Sequence, residues 1–164
     1  MKNAVVVGLS FLPQLKIKFG GLNLLPYICF MKHKLTEEEF NNLVTSYLAT
    51  AEFVAFDSSD GCKGVSDQAR EVAQNDCGKF ADKVYERYGE EIAHNILTYQ
   101  GKDLPSLAGH DFYLTQNHHG AGFWDGDIYD TLAPNGMKVL TELSQQISES
   151  NPILGGEDKL LYLE

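Results

Sequence analysis

Cysteine, proline and basic residues are scarce in this chain, and no apolar run in it is long. The three cysteines, Cys29, Cys62 and Cys77, form no C-x-x-C pair and are odd in number. That excludes a dense disulfide framework and points to a reducing, intracellular setting. A single bridge between Cys62 and Cys77 would depend on local geometry alone. Lysine and arginine total 13 against 23 aspartates and glutamates, for a formal charge of −10. Direct nucleic-acid binding is therefore not expected, because gripping phosphates takes clustered cations that displace counterions. Solubility is the plain use of such a charge. Its sharper use is a surface that meets a basic partner or imitates nucleic acid. The acids are spread along the helices rather than massed, which favours the plain use.

The first 30 residues are apolar but are interrupted by Pro13, Lys16, Lys18, Gly20, Gly21 and Pro26. No run reaches the roughly 20 apolar residues of a spanning helix. A small-residue cleavage site is missing, so a secretory signal is not expected either. Two short strands or apolar loops, over 4–7 and 15–19, are expected there. The polar, well-capped part begins at Met31-Lys32-His33-Lys34. Residues 1–30 are read as an apolar N-terminal extension and 31–164 as one α+β domain.

What is present is ample core material: 43% hydrophobic residues, one tryptophan, eight tyrosines and nine phenylalanines. Thr36-Glu37-Glu38-Glu39 is a capping box. After it Phe40, Leu43, Val44, Tyr47, Leu48, Ala51 and Ala55 recur at helical spacing, predicting a helix over 37–55. A polar loop follows over 57–64, with Cys62 in it. Its glycines and serines lack the phosphate-loop pattern. Ser66 suits the cap of a helix over 67–88, with Asp76 on or beside its apolar stripe, either a boundary residue or a buried acid aimed at the site. Gly89 breaks the chain before a short helix over 90–98, in which His94 is read as a packed or surface residue. A last long helix is expected from about 131, ending before Asn151-Pro152. A terminal strand is expected over 159–163.

Between these lies the densest stretch, residues 109–127, GHDFYLTQNHHGAGFWDGD. It holds three of the five histidines and the only tryptophan. Phe112 and Leu114 alternate with Asp111, Tyr113 and Thr115. Asn117-His118-His119-Gly120 has turn chemistry. This predicts a β-hairpin over 110–125, paired with the terminal strand in a small antiparallel sheet. The expected fold is thus α+β, three to four helices packed on that sheet.

The stretch has three possible uses. Metal binding by His110, Asp111, His118, His119, Asp125 or Asp127 matches no familiar spacing, and the Asp125–Asp130 run lacks the glycine and final acid of a calcium loop. No metal and no cofactor are assigned. Acid–base catalysis could pair His110 or His119 with Asp111 or Asp125, but no nucleophile stands beside them. The favoured use is a structural or recognition surface. Its candidate binding residues are His110, Asp111, Tyr113, Asn117, His118, His119, Trp124 and Asp125.

The stretch also resembles a pattern, G-H-D-F-[WY]-L-T-x-N-x-H-G-A-G-F-W-D, found in a group of small tailed-bacteriophage proteins. Gly109, His110, Asp111, Phe112, Leu114, Thr115, Asn117, His119, Gly120, Ala121, Gly122, Phe123, Trp124 and Asp125 carry the match. The resemblance spans about 36–163 and is specific only over this stretch. It implies a phage or prophage origin and the host cytoplasm as the place of action, and it supplies no activity. The expected function is that of an accessory protein that binds a host or phage protein, in its sharp form inhibiting a host defence or nucleic-acid enzyme. The alternative is a small metal-dependent or acid–base hydrolase using the His/Asp groups.

Overall fold

A computed structural model describes residues 34–55 and 61–164. The expectations for residues 1–30, including Cys29, and for the 57–60 part of the polar loop fall outside the described residues.

The first helix forms where the capping box places it. α1 (Glu37–Ala55) starts with Thr36 Oγ1 accepting from the Glu39 amide at 3.2 Å, while Glu39 Oε2 accepts from the Thr36 amide at 2.8 Å. Three glutamates in its first turn suit the positive end of the helix. α2 (Asp67–Tyr88) opens on Ser66, whose hydroxyl accepts from the Ala69 amide at 3.0 Å, and closes at Gly89 with φ +77°. α3 (Glu90–Thr98) follows at once. These three agree with the sequence pattern residue for residue, because each is amphipathic and capped.

The hairpin is not there. Residues 107–116 form a helix, α4 (Leu107–Gln116), capped by Ser106, whose hydroxyl accepts from the Gly109 amide at 3.2 Å. Asp111, Phe112, Tyr113, Leu114, Thr115 and Gln116 are all buried. A helix buried on every side carries no 3.6-residue stripe, so its apolar residues alternated by chance and imitated a strand. The expected return strand is a single 3₁₀ turn, Phe123–Asp125. The expected last helix is two pieces, α5 (Ile128–Leu132) and α6 (Gly136–Ser144), broken where Asn135 takes φ +54°. Six α-helices are thus described rather than three to four.

The sheet is built elsewhere and is mixed. Its strands are β1 (Gly64–Val65), β2 (Pro152–Leu154) and β3 (Leu160–Leu163), in the order β1-β3-β2. β3 runs parallel to β1, pairing Val65 with Leu161, and antiparallel to β2, pairing Ile153 with Tyr162. The terminal strand was expected; its partners were not, because the two short strands have too few residues to show alternation. Gln68 of α2 fastens the end of β3, its Oε1 accepting from the Leu163 amide at 3.1 Å and its Nε2 donating to the Leu163 carbonyl at 2.5 Å. Leu161 and Leu163 point inward and are fully buried.

α4 is the central rod. It crosses α1 most extensively and also packs on α3, α6 and the 3₁₀ turn. Gly109 sets the approach to α1: a Cβ there would lie 2.2 Å from the Leu43 carbonyl oxygen. Around the rod, Phe80 stacks on Phe112 at 4.3 Å between ring centroids, and Tyr47 meets Tyr113 edge-on at 5.0 Å. Cys62 and Cys77 are both free thiols.

Two outcomes follow. Replacing Gly109 with alanine forces α4 away from the α1 backbone and lowers stability by about 2 kcal/mol or more, read by urea denaturation. Glu39 gives a pH signature. The amide and hydroxyl of Thr36 donate to its carboxylate and, with His94, hold it below the ordinary glutamate range against a smaller opposing effect of burial. A depressed carboxylate contributes stability above its unfolded pKa and loses it as pH falls through the folded value. Wild type should therefore lose more stability on acidification than Glu39→Gln, measured as the difference in Tm between neutral and acidic buffer.

Candidate functional site

The motif stretch divides into an inward half and an outward half. Inward, α4 carries three buried polar residues, Asp111, Thr115 and Gln116, and each is given a partner. Asp111 is 7% exposed. Its Oδ1 lies 2.7 Å from His110 Nδ1, and its Oδ2 accepts from the Tyr129 hydroxyl at 2.6 Å. Burial, then the Asp111 charge, pushes the Tyr129 hydroxyl far above its ordinary pKa, so it stays a donor. Gly126 and Gly136 let the chain close round Tyr129: a Cβ on Gly126 would lie 3.0 Å from its ring, and one on Gly136 2.0 Å from its carbonyl oxygen.

At the other end of α4, Gln116 is saturated. Its Oε1 accepts from the Tyr47 hydroxyl at 2.8 Å, and its Nε2 donates to Asp76 Oδ2 at 3.0 Å and to the Ser148 carbonyl at 2.5 Å. Asp76 is also buried. It accepts further from Ser150 Oγ at 2.7 Å and Asn75 Nδ2 at 3.1 Å, with Lys79 Nζ at 3.5 Å. Asp76 is thus a buried acid, and it meets the motif through Gln116. Cys77 beside it is fully buried, and burial together with the Asp76 charge raises its thiol pKa, so it is no nucleophile.

Outward, the chain leaves α4 through a Schellman motif. The His118 amide donates to the Thr115 carbonyl at 3.4 Å, and the His119 amide to that of Leu114 at 2.9 Å. His118 takes the left-handed position, φ +54°, which glycine usually fills. Asn117 bridges the turn to the C-terminal segment, its Nδ2 donating to the Tyr113 carbonyl and its Oδ1 accepting from the Ser150 amide at 2.7 Å. The 3₁₀ turn is anchored as tightly. The Phe123 amide donates to Thr115 Oγ1 at 3.0 Å, and the Phe123 ring sits between Phe80 and Tyr129. Gly122, with φ +149°, has no room for a Cβ, which would fall 2.4 Å from Thr115 Oγ1.

The eight predicted binding residues therefore fare differently. Asp111 and Tyr113 are buried and cannot meet a partner, which corrects their assignment as contact residues: a buried helix turns them inward. The Tyr113 hydroxyl has no hydrogen-bond partner among the described residues, and its ring lies against Tyr47 and His119. His110 is partly exposed but has Nδ1 engaged by Asp111. Asn117 is spent on the turn. His119 stacks on Tyr113 at 5.9 Å. His118, Trp124 and Asp125 keep side chains that are free to meet another molecule. His118 is exposed and 3.5 Å from Glu149, Trp124 is half-buried with its indole N–H bonded to no described residue, and Asp125 is exposed.

Of the candidate acid–base residues His110, His119, Asp111 and Asp125, the structure pairs His110 with Asp111. Among the described residues, His119 and Asp125 make no hydrogen bond, ion pair or ring contact with them or with each other. No group of three or more His, Cys, Asp or Glu side chains among the described residues converges in a way that could hold a metal ion. No described helix is long and apolar enough to cross a membrane. Residues that sequence reasoning passed over are Gln116, Tyr129, Tyr47 and Ser150. Their signal in the sequence is a polar side chain within an otherwise apolar element, the same signal by which Asp76 stands out.

The architecture is that of a small α+β domain, mainly helical. Comparisons with protein-family models, with curated proteins and with solved structures find no match.

Removing the Tyr129 hydroxyl leaves one oxygen of a buried carboxylate unpaired. Tyr129→Phe should cost about 1–3 kcal/mol in urea denaturation. Asp111→Asn should restore part of that loss when combined with Tyr129→Phe, since a neutral amide tolerates the unpaired position better than a charge.

Proposed function

We propose that the protein is a small accessory protein of a tailed phage or prophage that acts in the host cytoplasm by binding a host or phage macromolecule. In the sharp form of this proposal the target is a host defence or nucleic-acid enzyme, which the protein inhibits. The supporting observation is the shape of the motif's outward half. His118, Trp124 and Asp125 stand on two turns that are each pinned to the core by backbone hydrogen bonds and by Asn117 or Phe123. A half-buried tryptophan on a rigid turn loses little entropy on contact and is the side chain most often found at binding hot spots. The exposed His118 side chain leaves a backbone that the helix-ending turn holds in place.

The hydrolase alternative asks for His110, His119 and an aspartate in one concave place. The three are not gathered, and both oxygens of Asp111 are taken up by neighbours. Binding is the reading that the geometry supports better.

The test separates binding from folding. The tagged full chain is used for affinity capture from infected cells, with His118→Gly and Trp124→Ala beside it. His118→Gly should raise stability by roughly 1 kcal/mol, because glycine takes φ > 0 freely. It should nonetheless capture less of the partner, and Trp124→Ala should capture at least tenfold less. Capture of the same partner by both variants at wild-type level would refute the assignment of this surface.

A further inference from the structure

The turn between α5 and α6 carries a different chemistry from the motif. Asn135-Gly136 is the one Asn-Gly pair in the chain. In such a pair the glycine nitrogen can attack the side-chain amide before it, because the glycine has no side chain to stand in the way. The other described asparagines are kept from this reaction. Asn41, Asn42, Asn75 and Asn95 lie inside helices, where the following amide is bonded along the helix. Asn117 has both side-chain polar atoms engaged, and Asn151 precedes Pro152, which has no N–H to lose. Asn135 is exposed, and its side-chain amide makes no hydrogen bond to a described residue.

The folded turn restrains the attack without abolishing it. Ring closure needs the Gly136 nitrogen beside Cγ of Asn135. At φ +54° and ψ +38° that nitrogen is turned away from the side chain, and its N–H donates to the Ala133 carbonyl at 3.0 Å. Gly136 is also packed against the Tyr129 carbonyl oxygen, with no space for a Cβ between them. Against this, a single backbone bond holds the nitrogen, at the first turn of a nine-residue helix whose start has no side-chain cap. Uncapped helix ends are where local opening costs least.

We infer that Asn135 is a site of spontaneous deamidation, gated by opening of the first turn of α6. In the opened turn the Gly136 nitrogen gives up its proton to solvent and bonds to Cγ of Asn135. The Cγ–Nδ2 bond breaks, and Nδ2 takes a proton back from solvent and leaves as ammonia. Water then opens the ring at either carbonyl, giving aspartate or isoaspartate. Isoaspartate routes the main chain through Cβ and Cγ, which makes it one carbon longer just ahead of Gly136. The added carbon displaces Gly136 from the Tyr129 backbone, and with it the support for the bond from Tyr129 to Asp111. Aspartate leaves the length of the main chain unchanged. None of this depends on the binding role given to the motif: either can fail without the other.

The test ages the full chain at physiological temperature and mildly alkaline pH, with a sample in guanidinium chloride as the unfolded reference. Peptide mapping by mass spectrometry reads the conversion of amide to acid, and isoaspartate-specific methylation reads the rearranged product. Conversion should appear at Asn135 ahead of the other described asparagines, about tenfold or more slowly in the folded sample than in the unfolded one. Two variants read the consequence. Asn135→Gly stays folded, because glycine takes positive φ freely, and its Tm should not change on ageing. Asn135→Asp has the charge of the product at the ordinary chain length and should melt near the fresh wild type. Aged wild type should develop a fraction of lower Tm in proportion to its isoaspartate. The inference is overturned if Asn135 stays intact in the folded chain through many half-lives of the unfolded sample, if the two samples convert at one rate, or if the isoaspartate fraction melts as Asn135→Asp does.

Discussion

A carboxylate taken out of water must be given donors or it will not stay charged and buried. Asp76 collects them from three parts of the chain: Gln116 at the end of α4, Ser150 ahead of β2, and its neighbour Asn75. Those bonds decide more than local order. They fix the rotamer of Gln116, which then holds Tyr47 of α1 and the Ser148 carbonyl. They also bring the C-terminal segment against the helices, so that Ser150 meets Asn117 and β2 can pair with β3. Removing one partner of such a group is costly because the others are left unsatisfied.

α4 shows the same constraint from the other side. A helix enclosed on most sides has little solvent face on which to place its polar side chains, so most of them take an internal role. Asp111 is met by His110 and Tyr129, and Gln116 by the Asp76 group. Gly109 has a steric role instead, admitting the α1 backbone to close range. Residues that look chemically active in a row of letters are thus the ones the interior uses most heavily. The surface left for recognition is small, and it is rigid because the turns that carry it are tied to that interior.

The turns that carry His118, Trp124 and Asp125 are tied to the interior by hydrogen bonds, which holds their side chains in place. They belong to a chain with 23 acidic and 13 basic residues, whose long-range field favours encounter with positively charged partners.

Helices with one wet face are legible in the sequence. Thr36 and Glu39 mark the start of α1, Ser66 that of α2 and Gly89 the break before α3, because a cap is a local bond between residues three apart and a stripe is a local period. The terminal strand was legible from its composition. The letters of 109–127 also showed where the unusual groups are concentrated. Only the tertiary structure decided what those groups do. Whether HDFYLTQ is a strand or a helix turns on what surrounds it, since burial on every side erases the period that distinguishes the two. Whether Asp111 faces a ligand or a tyrosine depends on Tyr129, 18 residues further along the chain, and whether Asp76 is a surface acid depends on Ser150, 74 residues along. Such pairings are made by the folded chain as a whole, and no local spacing encodes them.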